Sequence, residues 1–154
     1  MEAVLLDTDV FSYLLKDDSR AEFYRKHIQG KTVALTFITV GELYHWAEKK
    51  KWGAKKVADL EQRFRATVIV PYDLEICRIY GGLRSRLKTS QGSQRNPGAN
   101  DLWIAACAIR HSLTLLTNNQ RDFEGIPELK LISAPPQSKA SAAAPSLFSS
   151  NDES

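Results

Sequence analysis

Short runs of β-branched residues and leucine alternate with longer stretches of helical period from the first residue to about Ser133. The two periods imply different elements. Residues two apart share one face of a strand, whereas apolar residues three and four apart form one stripe of a helix. Strands separated by helices are the pattern of a parallel α/β sheet, because a parallel connection must cross back over the sheet. The chain accordingly predicts five short strands, centred on Val4–Leu6, Val33–Thr36, Val68–Val70, Leu113–Thr117 and Leu129–Ile132. Between them it predicts helices around Val10–Lys16, Ser19–Ile28, Thr39–Lys51, Ala54–Arg65, Leu74–Lys88 and Asp101–His111.

Two segments break this pattern. Lys88 to Asn100 is polar and rich in glycine and turn formers, which predicts an exposed loop of the kind that often carries function. After Ser133 the chain turns to proline, alanine and serine and ends in Asn-Asp-Glu-Ser, too little apolar material to pack. One domain over residues 1–133 with a disordered tail over 134–154 is the expectation. The run Glu48-Lys49-Lys50-Lys51 closes a predicted helix, where lysines complement the dipole; an RNA contact is the second reading.

Composition narrows the class without choosing a function. Hydrophobic residues make up 43% of 154 positions, enough for one core, and 21 basic against 18 acidic residues give a net charge of +3. That mild excess permits nucleic-acid binding without requiring it. Cys77 and Cys107 each lie in an apolar helical pattern and form no Cys-x-x-Cys pair, so neither a disulfide framework nor a thiolate zinc site is implied. Two buried free thiols suit a reducing compartment. The chain reaches Asp7 after a few apolar residues with no basic start, unlike a signal peptide, and no apolar run is long enough to span a membrane. A soluble cytoplasmic protein with no membrane partner is expected.

The candidate chemistry lies in the acids. Asp7 directly follows the strand Val4-Leu5-Leu6, at the carboxyl edge where open parallel sheets bind ligands; alternatively Asp7 or Thr8 is simply a helix N-cap. Glu42 follows the second strand in Thr39-Val40-Gly41-Glu42, which is also the capping-box pattern, although Gly41 suggests a close approach by another group. Asp101 opens an almost wholly apolar helix, where it could serve the dipole alone, but a carboxylate beside such a segment is partly desolvated and needs a partner. Asp122, with Asn119 near it, follows the fourth strand. Each acid has a dull explanation, yet those explanations do not predict that three of four should follow strands at one edge of one sheet. Carboxylates gathered that closely repel unless a divalent cation lets them stay ionised, and hard oxygen ligands suit magnesium or manganese, the ions of phosphodiester hydrolysis.

Four segments together, Leu5-Leu6-Asp7-Thr8-Asp9-Val10, Thr39-Val40-Gly41-Glu42-Leu43, Asn100-Asp101-Leu102-Trp103-Ile104-Ala105-Ala106 and Leu116 to Pro127, resemble the PIN-domain ribonucleases, closest to VapC-type toxins, in order and spacing over nearly all of the chain before the tail. The resemblance implies a three-layer α/β/α fold around a parallel sheet of about five strands. It implies a magnesium- or manganese-dependent endoribonuclease acting on RNA, usually a homodimer, neutralised by a cognate antitoxin protein. Carried over residue by residue, Asp7, Glu42 and Asp101 match the family's acids and would bind metal, with Asp7 and Asp101 as direct ligands. Where many relatives have aspartate two residues after the threonine this chain has Asn119, which leaves Asp122 as the nearest fourth acid. Thr8 and Thr117 could supply hydroxyls near the site, or act as turn and cap residues. Arg84, Arg86, Lys88 and Arg95 could hold RNA phosphates, or be ordinary surface charge.

Two other readings remain. Asp7-Thr8-Asp9-Val10 after an apolar strand also resembles the nucleophile motif of haloacid-dehalogenase-like phosphatases, with Asp7 as nucleophile and Asp9 as acid, but Phe11 departs from that motif and Glu42 would have no role. A PIN-like interaction module without hydrolysis is the other, kept open by Asn119. Glu42-Leu43-Tyr44-His45 has the spacing of carboxylate-bridged iron sites but no second copy, so His45, like His27 and His111, reads as a packing or surface residue. Trp46, Trp103 and Phe37 read as core or dimer contacts.

Overall fold

A computed structural model describes residues 2–88 and 97–136, with the Lys88 side chain excepted. Most of the expected exposed loop (89–96, including Arg95) and of the expected tail (137–154) lies outside the described residues. The elements run β1 (Ala3–Leu6), α1 (Thr8–Leu15), α2 (Ala21–Ile28), β2 (Thr32–Leu35), α3 (Phe37–Lys49), α4 (Ala54–Arg65), β3 (Val68–Ile69), α5 (Leu74–Lys88), α6 (Ala99–Arg110), β4 (Thr114–Leu116), α7 (Gln120–Phe123) and β5 (Leu131–Ile132).

All strand pairings are parallel and the order across the sheet is β3-β2-β1-β4-β5. The chain builds outward from β1 on one side, then returns to place β4 on its other side. The seam between β1 and β4 is therefore the switch point, where connections leave in opposite directions and open a crevice at the carboxyl ends of the strands. Register is set there by Val4 opposite Thr114, Leu5 opposite Leu115 and Leu6 opposite Leu116.

The strands read as continuous apolar runs because both faces of the sheet are covered. Leu5, Ala34 and Leu115 point into a core shared with Ile76 and Leu83 of α5, Leu102, Ile104 and Ala105 of α6, and Phe123 of α7. Their neighbours Val4, Leu6, Leu35 and Leu116 point the other way, against Val10 and Phe11 of α1, Tyr24 of α2, Leu43 of α3, and Leu60 and Phe64 of α4. The result is the expected three-layer α/β/α arrangement. Each fully buried leucine or isoleucine in these two cores stabilises the fold by about 1.5–3 kcal/mol. α6 is apolar on nearly every side because it is buried on nearly every side, from Leu102 through Ala108.

Four local expectations are corrected. α3 begins at Phe37 with Thr36 as its N-cap, because the Thr36 hydroxyl accepts the Thr39 N–H at 3.1 Å. α6 begins at Ala99, so Asp101 sits within its first turn rather than at its opening. α7 is one turn, too short for apolar periodicity to reveal. Cys77 is exposed on α5 while Cys107 is buried on α6, so only one thiol belongs to the core. No helix among the described residues is long and apolar enough to cross a membrane.

Candidate active site

The carboxyl ends of β1 and β4 meet at Asp7 and Thr117. Asp7 continues the parallel ladder one step past β1 by donating its N–H to Leu116 O at 2.9 Å. It is also the N-cap of α1: Oδ1 accepts the Thr8 N–H at 2.8 Å. The N-cap reading of Asp7 therefore holds, and its other oxygen, Oδ2, accepts the buried Thr117 hydroxyl at 2.7 Å across the switch point. Thr117 Oγ1 in turn accepts the Asn119 N–H at 3.0 Å. A carboxylate only 5% exposed is therefore held by two neutral donors, one at the start of α1 and one just past β4.

Glu42 reaches the same edge from α3. With Thr36 as the cap, Glu42 lies too far along the helix for a capping box, and its Oε1 instead accepts the Thr8 hydroxyl at 2.8 Å. Thr8 Oγ1 also lies 2.9 Å from Thr39 Oγ1, and because the Thr8 proton goes to Glu42, Thr39 is left as the donor in that contact. The structural alternative for Glu42 is thereby removed. So is the reading of Gly41, since a side chain there would meet open space.

Asp101 arrives from the first turn of α6 and is partly buried. Asp122 arrives from α7, where its Oδ2 accepts the Asn119 amide at 2.8 Å. The sequence treated Asn119 and Asp122 as alternatives; the structure joins them. A fifth acid, Asp9, was considered only for the phosphatase reading, yet it lies in the same group. Its Oδ1 accepts the Val10 N–H at 2.7 Å and its Oδ2 the Asn118 N–H at 3.1 Å. The signal for it was the repeat Asp7-Thr8-Asp9 at a strand-to-helix junction, with both acids on the turn that opens α1.

Burial and mutual repulsion act together on these side chains. Burial raises the Asp7 carboxyl above its ordinary range, against the pull of the Thr117 hydroxyl and Thr8 N–H, and the charges of Glu42 and Asp122 add to the rise. Burial, then the Asp7 charge, pushes Asp9 up to about 8. Burial, then the charges of Asp7 and Asp122, pushes Asp101 up to about 6. Among the described residues none of these five acids is paired with a lysine, arginine or histidine. An acidic cluster without counter-charge fits a divalent cation that the fold itself does not supply. Among the described residues no three of these side chains lie close enough together to hold a metal ion as they stand.

Of the predicted basic helpers, Arg95 and the Lys88 side chain lie outside the described residues, and Arg84 and Arg86 have partners of their own. Arg86 pairs with Glu128 at 2.5 Å, and Arg84 donates to the Tyr80 hydroxyl at 2.5 Å. Tyr80 stacks on Trp103 with ring centres 3.8 Å apart between α5 and α6, while Phe37 is exposed and packs on Tyr72.

A family model described as PIN domain matches residues 4–129. The chain is 30% identical over 126 residues to Ribonuclease VapC2 of Haemophilus influenzae, covering 82% of this chain and 93% of that protein. It is 27% identical over 126 residues to the tRNA(fMet)-specific endonuclease VapC of Shigella flexneri, covering 82% of this chain and 93% of that one. The crystal structure of VapBC2 from Rickettsia felis, bound to a DNA fragment from its promoter, contains a chain that superposes with a TM-score of 0.74 at 26% identity, covering 86% of this chain and 99% of that one.

The raised carboxyls fix the sign of the pH dependence. A folded state that holds protons at Asp101 and Asp9 which the unfolded chain has released is most stable at low pH, and it loses that advantage as pH rises through about 6 and about 8. In chelator, the melting temperature should fall between pH 5 and pH 8.5, and magnesium or manganese should restore most of the loss at the upper end. A melting temperature in chelator that rises across this window would show that the acids are not crowded as described.

Proposed function

The chain belongs to the PIN-domain family, and from that premise we propose that it is a magnesium- or manganese-dependent endoribonuclease whose metal is held by Asp7, Glu42 and Asp101. The observation that carries the reading is the convergence of acids without basic partners at the β1/β4 switch point, around an Asp7 carboxylate held by Thr117 and Thr8. A bound divalent cation supplies charge neutralisation at the phosphodiester and activation of water. The protein's own part is positioning. Thr117 and Thr8 hold the two oxygens of Asp7, Thr8 also orients Glu42, and Asp122 with Asn119 forms the rim beside Asp9. Each ionised carboxylate oxygen keeps a lone pair beyond the one its donor occupies, so these bonds orient the ligands without using them up. The phosphatase alternative ends with the family assignment. The inactive module is disfavoured because Asp7, Glu42 and Asp101 are all present and gathered.

The relatives are ribonucleases, and the solved VapBC assemblies pair this fold with an antitoxin, which supports the same arrangement here. A groove of about 600 Å3 between α1 and α4 is floored by Leu15, Leu43 and Leu60. Within it the Ser12 hydroxyl and the Trp52 indole N–H are buried without hydrogen-bond partners, which suits an antitoxin segment with an apolar face and polar groups to meet them. A second copy of the chain is the proposed partner at the edge of the sheet. Phe37, Val68, Ile69, Tyr72 and Leu74 stay exposed around the outer edge of β3, an apolar surface of the kind that homodimers cover. Light scattering should give twice 17.3 kDa, and Leu74→Lys should return the mass to that of one chain; a wild-type protein that is monomeric at all concentrations contradicts the dimer.

Purified protein should cut a panel of structured RNAs with magnesium or manganese and not with chelator. Asp7→Asn and Asp101→Asn should lower the rate by at least roughly 100-fold while remaining folded, and Thr117→Val, which keeps shape and loses the hydroxyl, by roughly 10–100-fold. Expression should arrest bacterial growth, with Asp101→Ala relieving the arrest. Metal-independent cutting that survives Asp7→Asn contradicts the reading, and a folded, metal-loaded protein that cuts no RNA favours the interaction module.

A further inference from the structure

A cavity of about 530 Å3 opens beside the acids on the β5 side, lined among others by Asn118, Gln120, Arg121, Glu124, Ser133 and Pro136. Its wall and the acidic site are one continuous piece of chain. The Asn118 N–H bonds Asp9, and the Asn119 side chain bonds Asp122, while the same two residues line the cavity. A group bound there lies next to whatever the carboxylates hold.

The walls are set by Tyr24, a fully buried residue of α2 that none of the sequence motifs includes. Its hydroxyl proton is shared between Asn118 Oδ1 at 2.8 Å and Thr117 O at 3.0 Å, and its oxygen accepts the Ala134 N–H at 3.0 Å. One buried hydroxyl thus ties the loop after β4 to the segment after β5, the two sides of the cavity. The lining is polar and mixed in sign, with the Arg121 guanidinium, the Glu124 carboxylate, the Gln120 amide and the Ser133 hydroxyl. Arg121 and Glu124 are exposed and not paired with each other. Lysine is missing from this lining, so it does not resemble a phosphate track; donors and acceptors arranged around a slot suit the edge of a planar base.

We propose that this cavity takes the nucleobase next to the cleaved phosphodiester and makes the enzyme choose its cutting site, with guanine as the preferred base. Guanine offers two acceptors, O6 and N7, that match a guanidinium, and N–H donors on its pairing edge that match a carboxylate. No other standard base presents both sets. The proposal rests on the ribonuclease reading, because the base is placed by the phosphate that the acids would hold.

The test is cleavage of an RNA library randomised around the cut, read by sequencing, for the wild type, Arg121→Ala and Glu124→Gln with manganese. The wild type should favour guanine at one position beside the cut, and each variant should reduce that preference by roughly ten-fold while still cutting RNA of other sequence. In parallel, guanosine added to the full chain should shift the backbone amide resonances of Gln120, Arg121 and Ser133, and cytidine should not. Tyr24→Phe, which keeps the ring and frees the two walls, should weaken the guanosine response. Wild-type cutting with no base preference, or a preference that both variants retain, overturns the cavity while leaving the nuclease intact. A wild type that cuts no RNA overturns the ribonuclease reading itself.

Discussion

The hydrogen bond from Thr117 to Asp7 joins the ends of β1 and β4 at the point where the order of the strands reverses, and most of the site depends on it. A carboxylate buried at that seam is costly to keep charged. The fold meets the cost in part, with a hydroxyl from one strand and an amide from the helix that follows the other. Among the described residues no lysine, arginine or histidine pairs with this carboxylate. Every further acid brought to the edge, Glu42 from α3, Asp101 from α6, Asp122 from α7 and Asp9 from α1, makes the deficit larger. A protein that served only stability would place a lysine or arginine there. Crowded acids held by neutral donors are an arrangement completed by a cation and a substrate phosphate.

The layers around the sheet explain how so many elements reach one point. Right-handed crossovers cover both faces of a parallel sheet, so every helix that follows a strand begins at the same edge. The first turn of α1, the second turn of α3 and the single turn of α7 therefore carry side chains toward a common crevice without long loops. α6 is the exception, since it follows α5 rather than a strand; its apolar body packs against the sheet and brings Asp101 to the edge by burial alone. Positioning through rigid elements limits how far each carboxylate can move.

Much of this was legible in the chain. Apolar runs of three to five residues separated by helical periods located all five strands; at β1 and β4 the run is continuous because both faces are buried, whereas the edge strand β3 stays exposed. Asp7, Glu42, Asp101 and Asp122 were visible as acids placed just after strands or at helix starts. What stayed hidden depended on partners distant in sequence. The capping-box reading of Glu42 could not be rejected until Thr36 was seen to cap α3 and Thr8 to take the Glu42 carboxylate. Asp9 had a role only in the phosphatase reading, and its place beside the other acids depends on Asn118, more than a hundred positions away, which donates to it. Tyr24 carries no motif, since a tyrosine in an amphipathic helix reads as core, and only its hydroxyl contacts reveal that it braces the loop after β4. Cys77 was misread because apolar neighbours in sequence do not say which side of α5 faces water.

On the proposed function, a divalent cation bound among these carboxylates displaces protons that burial and crowding hold there. Calorimetric titration of the metal-free protein with manganese at pH 7, repeated in buffers of different ionisation enthalpy, measures both binding and proton release. The account predicts saturable binding accompanied by release of protons, with both lost in Asp7→Asn. Absence of saturable binding by folded protein, or binding that releases no protons and survives Asp7→Asn unchanged, would contradict it.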